Sequence, residues 1–336
     1  MASASWDDAS AGTGGKRVYP EGADGAAAER CPPVARPATR GVRHLTSHRL
    51  GRYAASHVLS VLATLALVAI ALWLFAASAL FLLQRRLLYP KLPLRPLGSP
   101  RGLERIHLPV GDGVVPCWIA ARAGAPWILF FHGNGEQLAD SLPIAQSLAR
   151  RGLAFAAVEY PGYGESTATR PTEAKLVEVA RLALGELRAR GANVVVCIGH
   201  SLGSGPAAWM AAEGRCEGLA LVAPFTSVGD IGQARYPWLP ARLLARDRFD
   251  TLARAPQIRV PTWVTHGRDD TTVPFDMGER IASAIAGARW SVRTKGHGDI
   301  LDEATLDAVA ALAWSLGGRA PPVPETPPTP DPPQGG

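Results

Sequence analysis

The sequence predicts an α/β fold: a mostly parallel sheet covered by helices on both faces, preceded by one transmembrane helix. Three observations carry that expectation. Short apolar runs such as "PWILFF", "LAFAAVEY" and "NVVVCIG" alternate with longer helical stretches, the pattern of strands buried on both sides. One much longer run, Val58–Leu83, holds 26 positions without a charged side chain. Finally, a Gly-x-Ser-x-Gly sequence at residues 199–203 stands where an apolar run gives way to a helical one.

The 336 residues are 47% hydrophobic, enough to bury a sizeable core. Residues 1–35 are rich in Ala, Gly, Ser and Pro without apolar periodicity, and residues 1–53 are expected to be a disordered basic N-terminal segment. Residues 54–84 are expected to form the transmembrane helix, since a bilayer core needs about 20 apolar residues. Ala77-Ser78-Ala79 has the shape of a signal-peptide cleavage site. The apolar run continues past it, however, and is far longer than a signal h-region of roughly 7–15 residues, so an uncleaved single-pass anchor is expected. Arginines flank the run on both sides (Arg40, Arg43, Arg49 and Arg52, then Arg85, Arg86, Arg95 and Arg101). This leaves the orientation open. The net charge of +6 gathers largely at those flanks, which fits a membrane surface and not nucleic acid, for which a basic face carrying aromatics is needed.

A globular domain is expected over 85–318. After the prolines of "YPKLPLRPLGSP", "ERIHLPV" and "VPCWIAA" read as a strand pair. "PWILFF" is a strand, Gln137–Arg151 a helix, "LAFAAVEY" a strand and Thr172–Arg190 a helix. "NVVVCIG" leads into a helix at Leu202–Ala212, followed by the strands "GLALVAP" and "VPTWVTHG". A helix near Phe275–Ala286, the strand "ARWSVRT" and a helix over Leu301–Ser315 close the domain. The proline-rich tail, 319–336, reads as disordered.

Ligands of such sheets bind beyond the carboxyl ends of the strands. There, G-x-S-x-G between strand and helix raises a serine above the sheet in a strained turn. Gly199 and Gly203 keep strand and helix from colliding around Ser201. The same region contains G-x-G-x-x-A at 203–208, but the next strand ends "LVAPF" without the acidic residue a dinucleotide site requires. Cys31, Cys117, Cys197 and Cys216 have no zinc spacing. No metal and no cofactor are expected.

A nucleophilic serine needs a base, and the base an orienting acid. Of the eight histidines, only His266 and His297 follow Ser201. His266 ends a strand in "THGRDDTTVP", which puts Asp269 and Asp270 on the next loop, and His297 lies in "TKGHGDIL". The order Ser, Asp, His leaves Ser201, one of the two aspartates, and His297. His200 is expected to face away through the turn. Two N–H donors must meet a developing oxyanion. Leu202 supplies one, and the Gly-rich "FFHGNGE", with Gly133 and Asn134, is the natural source of the second.

From about Leu87 to Gly317 the chain resembles the α/β-hydrolase superfamily. In particular it resembles single-pass, membrane-anchored α/β-hydrolase-domain proteins with little or no lid, of the serine aminopeptidase-like group. The motifs that carry the resemblance are "LLYP", "FFHGNGE", "YPGYGES", "GHSLGSG", "HGRDDTTVP" and "GHGDI". It implies Asp270 and not Asp269 as the acid, and supports Asn134 as an oxyanion donor. It further implies a serine hydrolase that cleaves carboxylic esters or thioesters of lipid or acyl substrates through an acyl-enzyme. Its partners would be the lipid bilayer and that substrate. The short segment Phe225–Val260 carries Tyr236, Trp238, Leu239, Leu243, Leu244 and Phe249 among Arg235, Arg242, Arg246 and Arg248. It reads equally as a packed short helix or as an acyl-binding wall with arginines toward lipid headgroups. The alternatives are a non-catalytic membrane-tethered binding or scaffold domain and a peptidase of the same fold. A complete Ser, Asp, His set speaks against the scaffold, and nothing marks a pocket for a peptide terminus.

Overall fold

The computed structural model describes residues 45–318, with side chains from Arg52 onward. The disorder expected for residues 1–44 and 319–336 lies outside the described residues. The chain divides into two units after Ala63. The described part of the first, 45–63, is helical throughout. The helix, α1, runs Leu45–Leu88, so it starts before and ends after the expected 54–84. No proline interrupts it, and it stops where Tyr89 precedes Pro90, because the residue before proline is disfavoured in helical conformation. Within it, Arg52–Leu88 is long and apolar enough to cross a membrane, with a mean hydropathy of 2.6 in its most apolar window.

The second unit carries an eight-stranded sheet. Its strands are β1 (Glu104–Val110), β2 (Gly113–Ala120), β3 (Trp127–Phe131), β4 (Ala154–Val158), β5 (Val195–His200), β6 (Gly218–Val222), β7 (Thr262–Gly267) and β8 (Arg289–Arg293). Their order is β1-β2-β4-β3-β5-β6-β7-β8. The pairings β1/β2 and β2/β4 are antiparallel and all others parallel. The helices are α2 (Leu142–Arg150), α3 (Glu173–Ala189), α4 (Ser204–Ala212), α5 (Val228–Arg235), α6 (Ala241–Leu244), α7 (Thr251–Arg254), α8 (Phe275–Ala284) and α9 (Glu303–Leu316).

The alternation of strand side chains divides the core into two layers. Trp127, Leu129 and Phe131 of β3 pack with Leu176 of α3, Ala207 of α4 and Ile281 of α8. Ile128 and Phe130 face the other way, toward Leu148 of α2 and Val309 of α9. Each such fully buried side chain contributes about 1.5–3 kcal/mol relative to exposure, so both faces need their helices.

Three expectations are corrected in detail. The helix over 137–151 is a 3-10 turn at Leu138–Ser141 followed by α2, because Pro143 sits in the first turn of α2, where no N–H is needed. The helix over 202–212 begins as a one-turn 3-10 helix at Ser201–Gly203. The segment Phe225–Val260 holds three short helices, α5 to α7, and a 3-10 turn at Ala255–Gln257.

Since β3 lies between β4 and β5, the chain leaves β3 toward one side and returns on the other. The loops after β3 and β5 therefore face one crevice, where open α/β sheets bind ligands. Those loops are "HGNGE" and "SLGSG".

Candidate active site

β5 hands the chain to Ser201 at φ +50°, a left-handed conformation that costs a non-glycine residue about 1–3 kcal/mol. Two glycines make the turn possible. A Cβ on Gly199 would strike the Gly203 carbonyl, and one on Gly203 would strike the backbone of Phe131 and His132 at the end of β3. The elbow is thus wedged between its own helix and the neighbouring strand.

Ser201 Oγ lies 2.9 Å from His297 Nε2, and His297 Nδ1 lies 2.7 Å from Asp270 Oδ2. Nδ1–H donates to the carboxylate, so Nε2 is left to accept from the serine hydroxyl. Asp270 Oδ1 accepts the Thr272 and Val273 N–H groups at 2.8 Å each. His266 Nε2 is 3.1 Å from Asp270 Oδ2 and 3.2 Å from the Val273 carbonyl; both are acceptors, so that nitrogen carries the proton. The Asp270 side chain has no exposure. Burial by itself raises its carboxyl, but the bonds from His266, His297 and Val273 N–H outweigh this and hold it well below the usual carboxylate range. The histidine is therefore oriented by an ionised group. Asp269, one residue earlier, is exposed.

Ser201 is only 8% exposed and opens into a cavity of about 690 Å³. Leu202 and Asn134 line the same cavity. Leu202 is the second residue of the one-turn helix, where N–H groups have no intrahelical acceptor. The Asn134 N–H has no backbone acceptor among the described residues, and its side-chain Oδ1 accepts from the Tyr163 hydroxyl at 3.0 Å. Gly133 N–H donates to Glu136 Oε2 at 2.8 Å, which closes the loop on itself. A Cβ on Gly133 would lie 3.2 Å from both Glu136 Oε1 and His200 Nδ1.

His200 does not face away from this centre. Its Nδ1 is 2.7 Å from Glu136 Oε1, its Nε2 is 3.2 Å from the His297 carbonyl, and the two histidine rings are 5.3 Å apart. Both partners accept, so His200 carries two protons. Burial lowers its pKa, but the Glu136 carboxylate raises it beyond its ordinary value; burial raises Glu136, yet His200 draws it down to about 2. Glu136 and His200 thus tie the loop after β3, the elbow and the His297 loop together. Sequence reasoning missed both. The one local signal was the acid three residues after Gly133 in "HGNGE", where a carboxylate can reach back to the glycine N–H.

Beyond the loops that carry the site, the cavity wall comes from two sources. Phe225, Ile231 and Tyr236 belong to the segment after β6, while Leu80, Gln84 and Leu88 belong to α1. Of the other apolar residues expected in a wall, Leu239 and Phe249 are core residues at 4% and 1% exposure, and Trp238 and Leu243 are exposed. Arg242 Nε pairs with Asp230 Oδ1 at 2.5 Å.

The family model of the alpha/beta hydrolase fold matches residues 126–254. An uncharacterized protein of Mycobacterium tuberculosis, Rv2307c, is 31% identical over 271 residues, covering 75% of this chain and 93% of that protein. The lysophosphatidylserine lipase ABHD12 of Macaca fascicularis is 28% identical over 187 residues, 48% of this chain and 46% of its own length. Among solved structures, the Pyrococcus furiosus esterase Pf2001 superposes with a TM-score of 0.56 at 16% identity, over 67% of this chain and 99% of the esterase. Shared sheet order alone would establish only a fold, but a likeness that runs along nearly the whole of a relative establishes kinship, and the chain is a hydrolase belonging to the α/β-hydrolase superfamily.

Proposed function

We propose that the protein is a membrane-anchored serine hydrolase that cleaves carboxylic ester or thioester bonds of lipid or acyl substrates, with Ser201 as nucleophile. The observation that carries this reading is the hydrogen-bonded chain from Ser201 through His297 to Asp270. Ser201 Oγ attacks the carbonyl carbon while its proton passes to His297 Nε2. Asp270 holds the imidazole in the required tautomer and stabilises the imidazolium that forms. The Leu202 and Asn134 N–H groups stabilise the oxyanion. The tetrahedral intermediate then expels the alcohol or thiol, which takes the proton from His297. Water, deprotonated by His297, attacks the acyl-enzyme; the acid leaves and Ser201 regains its proton. No step calls for a cofactor.

The apolar cavity walls and the likeness to a lipase favour an acyl chain over a peptide. The length and composition of α1 favour a single-pass anchor, with the hydrolase domain, residues 85–318, on its C-terminal side. Residues 1–44 then precede α1, and residues 319–336 follow the domain as a proline-rich segment.

Labelling with a fluorophosphonate probe tests the assignment. Wild type should label, and Ser201→Ala and His297→Ala should not. Ester hydrolysis that survives in folded Ser201→Ala overturns the nucleophile. Esters and thioesters of a common acyl chain, compared by kcat/KM, then identify the leaving group.

A further inference from the structure

The segment after β6 and the C-terminal half of α1 are built together. Trp73, Ala77, Leu80, Gln84 and Leu88 recur at spacings of three and four and so share one helix face. That face meets the domain. Trp73 Nε1–H donates to the Trp238 carbonyl at 2.8 Å, and Gln84 Nε2–H to the Leu244 carbonyl at 3.0 Å. Gln84 Oε1 accepts the Arg246 N–H at 2.7 Å, and Arg85 pairs with the buried Asp247 at 2.8 Å. Phe75 and Leu82, on other faces of the helix, are 73% and 74% exposed.

The contacts fix the depth of this segment. Trp73 and Gln84 are separated by about 16 Å along the helix at 1.5 Å per residue, and Trp238–Leu244 is bonded to α1 at both ends of that distance. The uncharged run reaches from Val58 to Leu83, and every span of about 20 residues within it includes position 73. Trp73 therefore lies inside the span, and the Trp238 carbonyl bonded to it lies at the level of the bilayer. The exposed Trp238, at 58%, has lipid to enter, and the exposed Leu243 lies toward the Gln84 end. Beyond Ala77 the same face supplies Leu80, Gln84 and Leu88 to the wall of the cavity that contains Ser201. The cavity of about 690 Å³ falls in the ~300–1,000 Å³ range of a pocket for one small ligand.

From this we infer that the substrate is an amphiphile taken sideways from the leaflet, its acyl chain sliding along α1 to Ser201, with Leu80 setting the chain length accepted. The inference rests on the proposal that Ser201 is the nucleophile. The anchor helix is then part of the acyl site as well as a tether.

The test uses the full chain in phosphatidylcholine vesicles, with octanoyl and palmitoyl lysophosphatidylcholine as probes. In Leu80→Trp the palmitoyl-to-octanoyl ratio of kcat/KM should fall by at least about tenfold, the scale of a blocked apolar subsite. In Leu80→Ala the same ratio should rise. Opposite shifts at one position do not arise from misfolding; a ratio unmoved in both variants overturns the acyl wall. An environment-sensitive fluorophore on Trp238→Cys, quenched by nitroxide lipids, reports the depth of the rim. Quenching by lipid is expected, and a label open only to aqueous quenchers overturns delivery from the bilayer. Loss of hydrolysis of both probes in Ser201→Ala keeps the chemistry intact whichever way the other two arms fall, whereas its survival overturns the underlying assignment.

Discussion

Replacing Asp270 by Asn tests the relay at its most determined point. Asp270 is surrounded only by donors: the N–H groups of Thr272 and Val273 on Oδ1, and His297 Nδ1 and His266 Nε2 on Oδ2. Asn keeps one acceptor oxygen. With that oxygen on the two backbone groups, its NH₂ faces two ring N–H groups. His297 escapes the conflict by moving its proton to Nε2, which then presents N–H to Ser201 Oγ instead of a lone pair. In that tautomer the serine has no base. An Asp-to-Asn exchange that inverts the tautomer of a triad histidine costs about 10⁴-fold in turnover, or about 5 kcal/mol at ~1.36 kcal/mol per tenfold. The assay is kcat for a chromogenic acyl ester together with the rate of fluorophosphonate labelling, on protein shown to be folded by circular dichroism. Asp269→Asn is the control, since that side chain is exposed one residue away, and should stay within about twofold of wild type, as surface changes do. A folded Asp270→Asn within tenfold of wild-type kcat refutes the reasoning.

Two further outcomes follow from the same geometry. Gly203→Ala should lose labelling and lower the melting temperature together, because its Cβ meets the backbone of Phe131 and His132 and not a side chain that can turn aside; normal labelling in this variant refutes the wedge. His200→Ala should destabilise in a pH-dependent way, on the scale of about 1.5–3 kcal/mol for a hydrogen bond to a charged group, since the Glu136 side chain keeps 29% exposure. His200 is raised above its ordinary ~6.5, so its contribution is full below that pH and fades as pH rises through its folded-state value. Glu136 is held at about 2, so its contribution is present above its ordinary ~4.3 and lost as pH falls toward 2. The melting-temperature gap between wild type and variant should be widest between about pH 4.3 and 6.5 and narrow at alkaline pH; a gap that does not change with pH refutes the ion pair.

What was legible in the sequence and what was not divide along a physical line. The central strands β3 to β6 could be read because each is a continuous, fully buried run bounded by turn residues, and the elbow because steric crowding admits only glycine at 199 and 203. Asp270 and Asp269 could not be separated by elimination, since both follow β7 on the same loop. Only the turn itself, which buries one side chain and exposes the next, distinguishes them. Glu136 and His200 are 64 positions apart, and their meeting depends on β3 and β5 being neighbours, a fact of sheet order that no local pattern encodes.

The face of α1 was hidden for a different reason. A run of 26 uncharged residues has no polar stripe opposite an apolar one, so hydrophobic periodicity cannot say which side meets the domain. The choice is made by features too sparse to register as a pattern. Ala77 is small enough to let the helix approach, the Trp73 indole N–H needs an acceptor, and Gln84 satisfies both ends of its amide on the segment bearing Leu244 and Arg246. Such isolated polar contacts single out the face that meets the domain. The same property that makes α1 readable as an anchor therefore conceals its role as a wall of the cavity around Ser201.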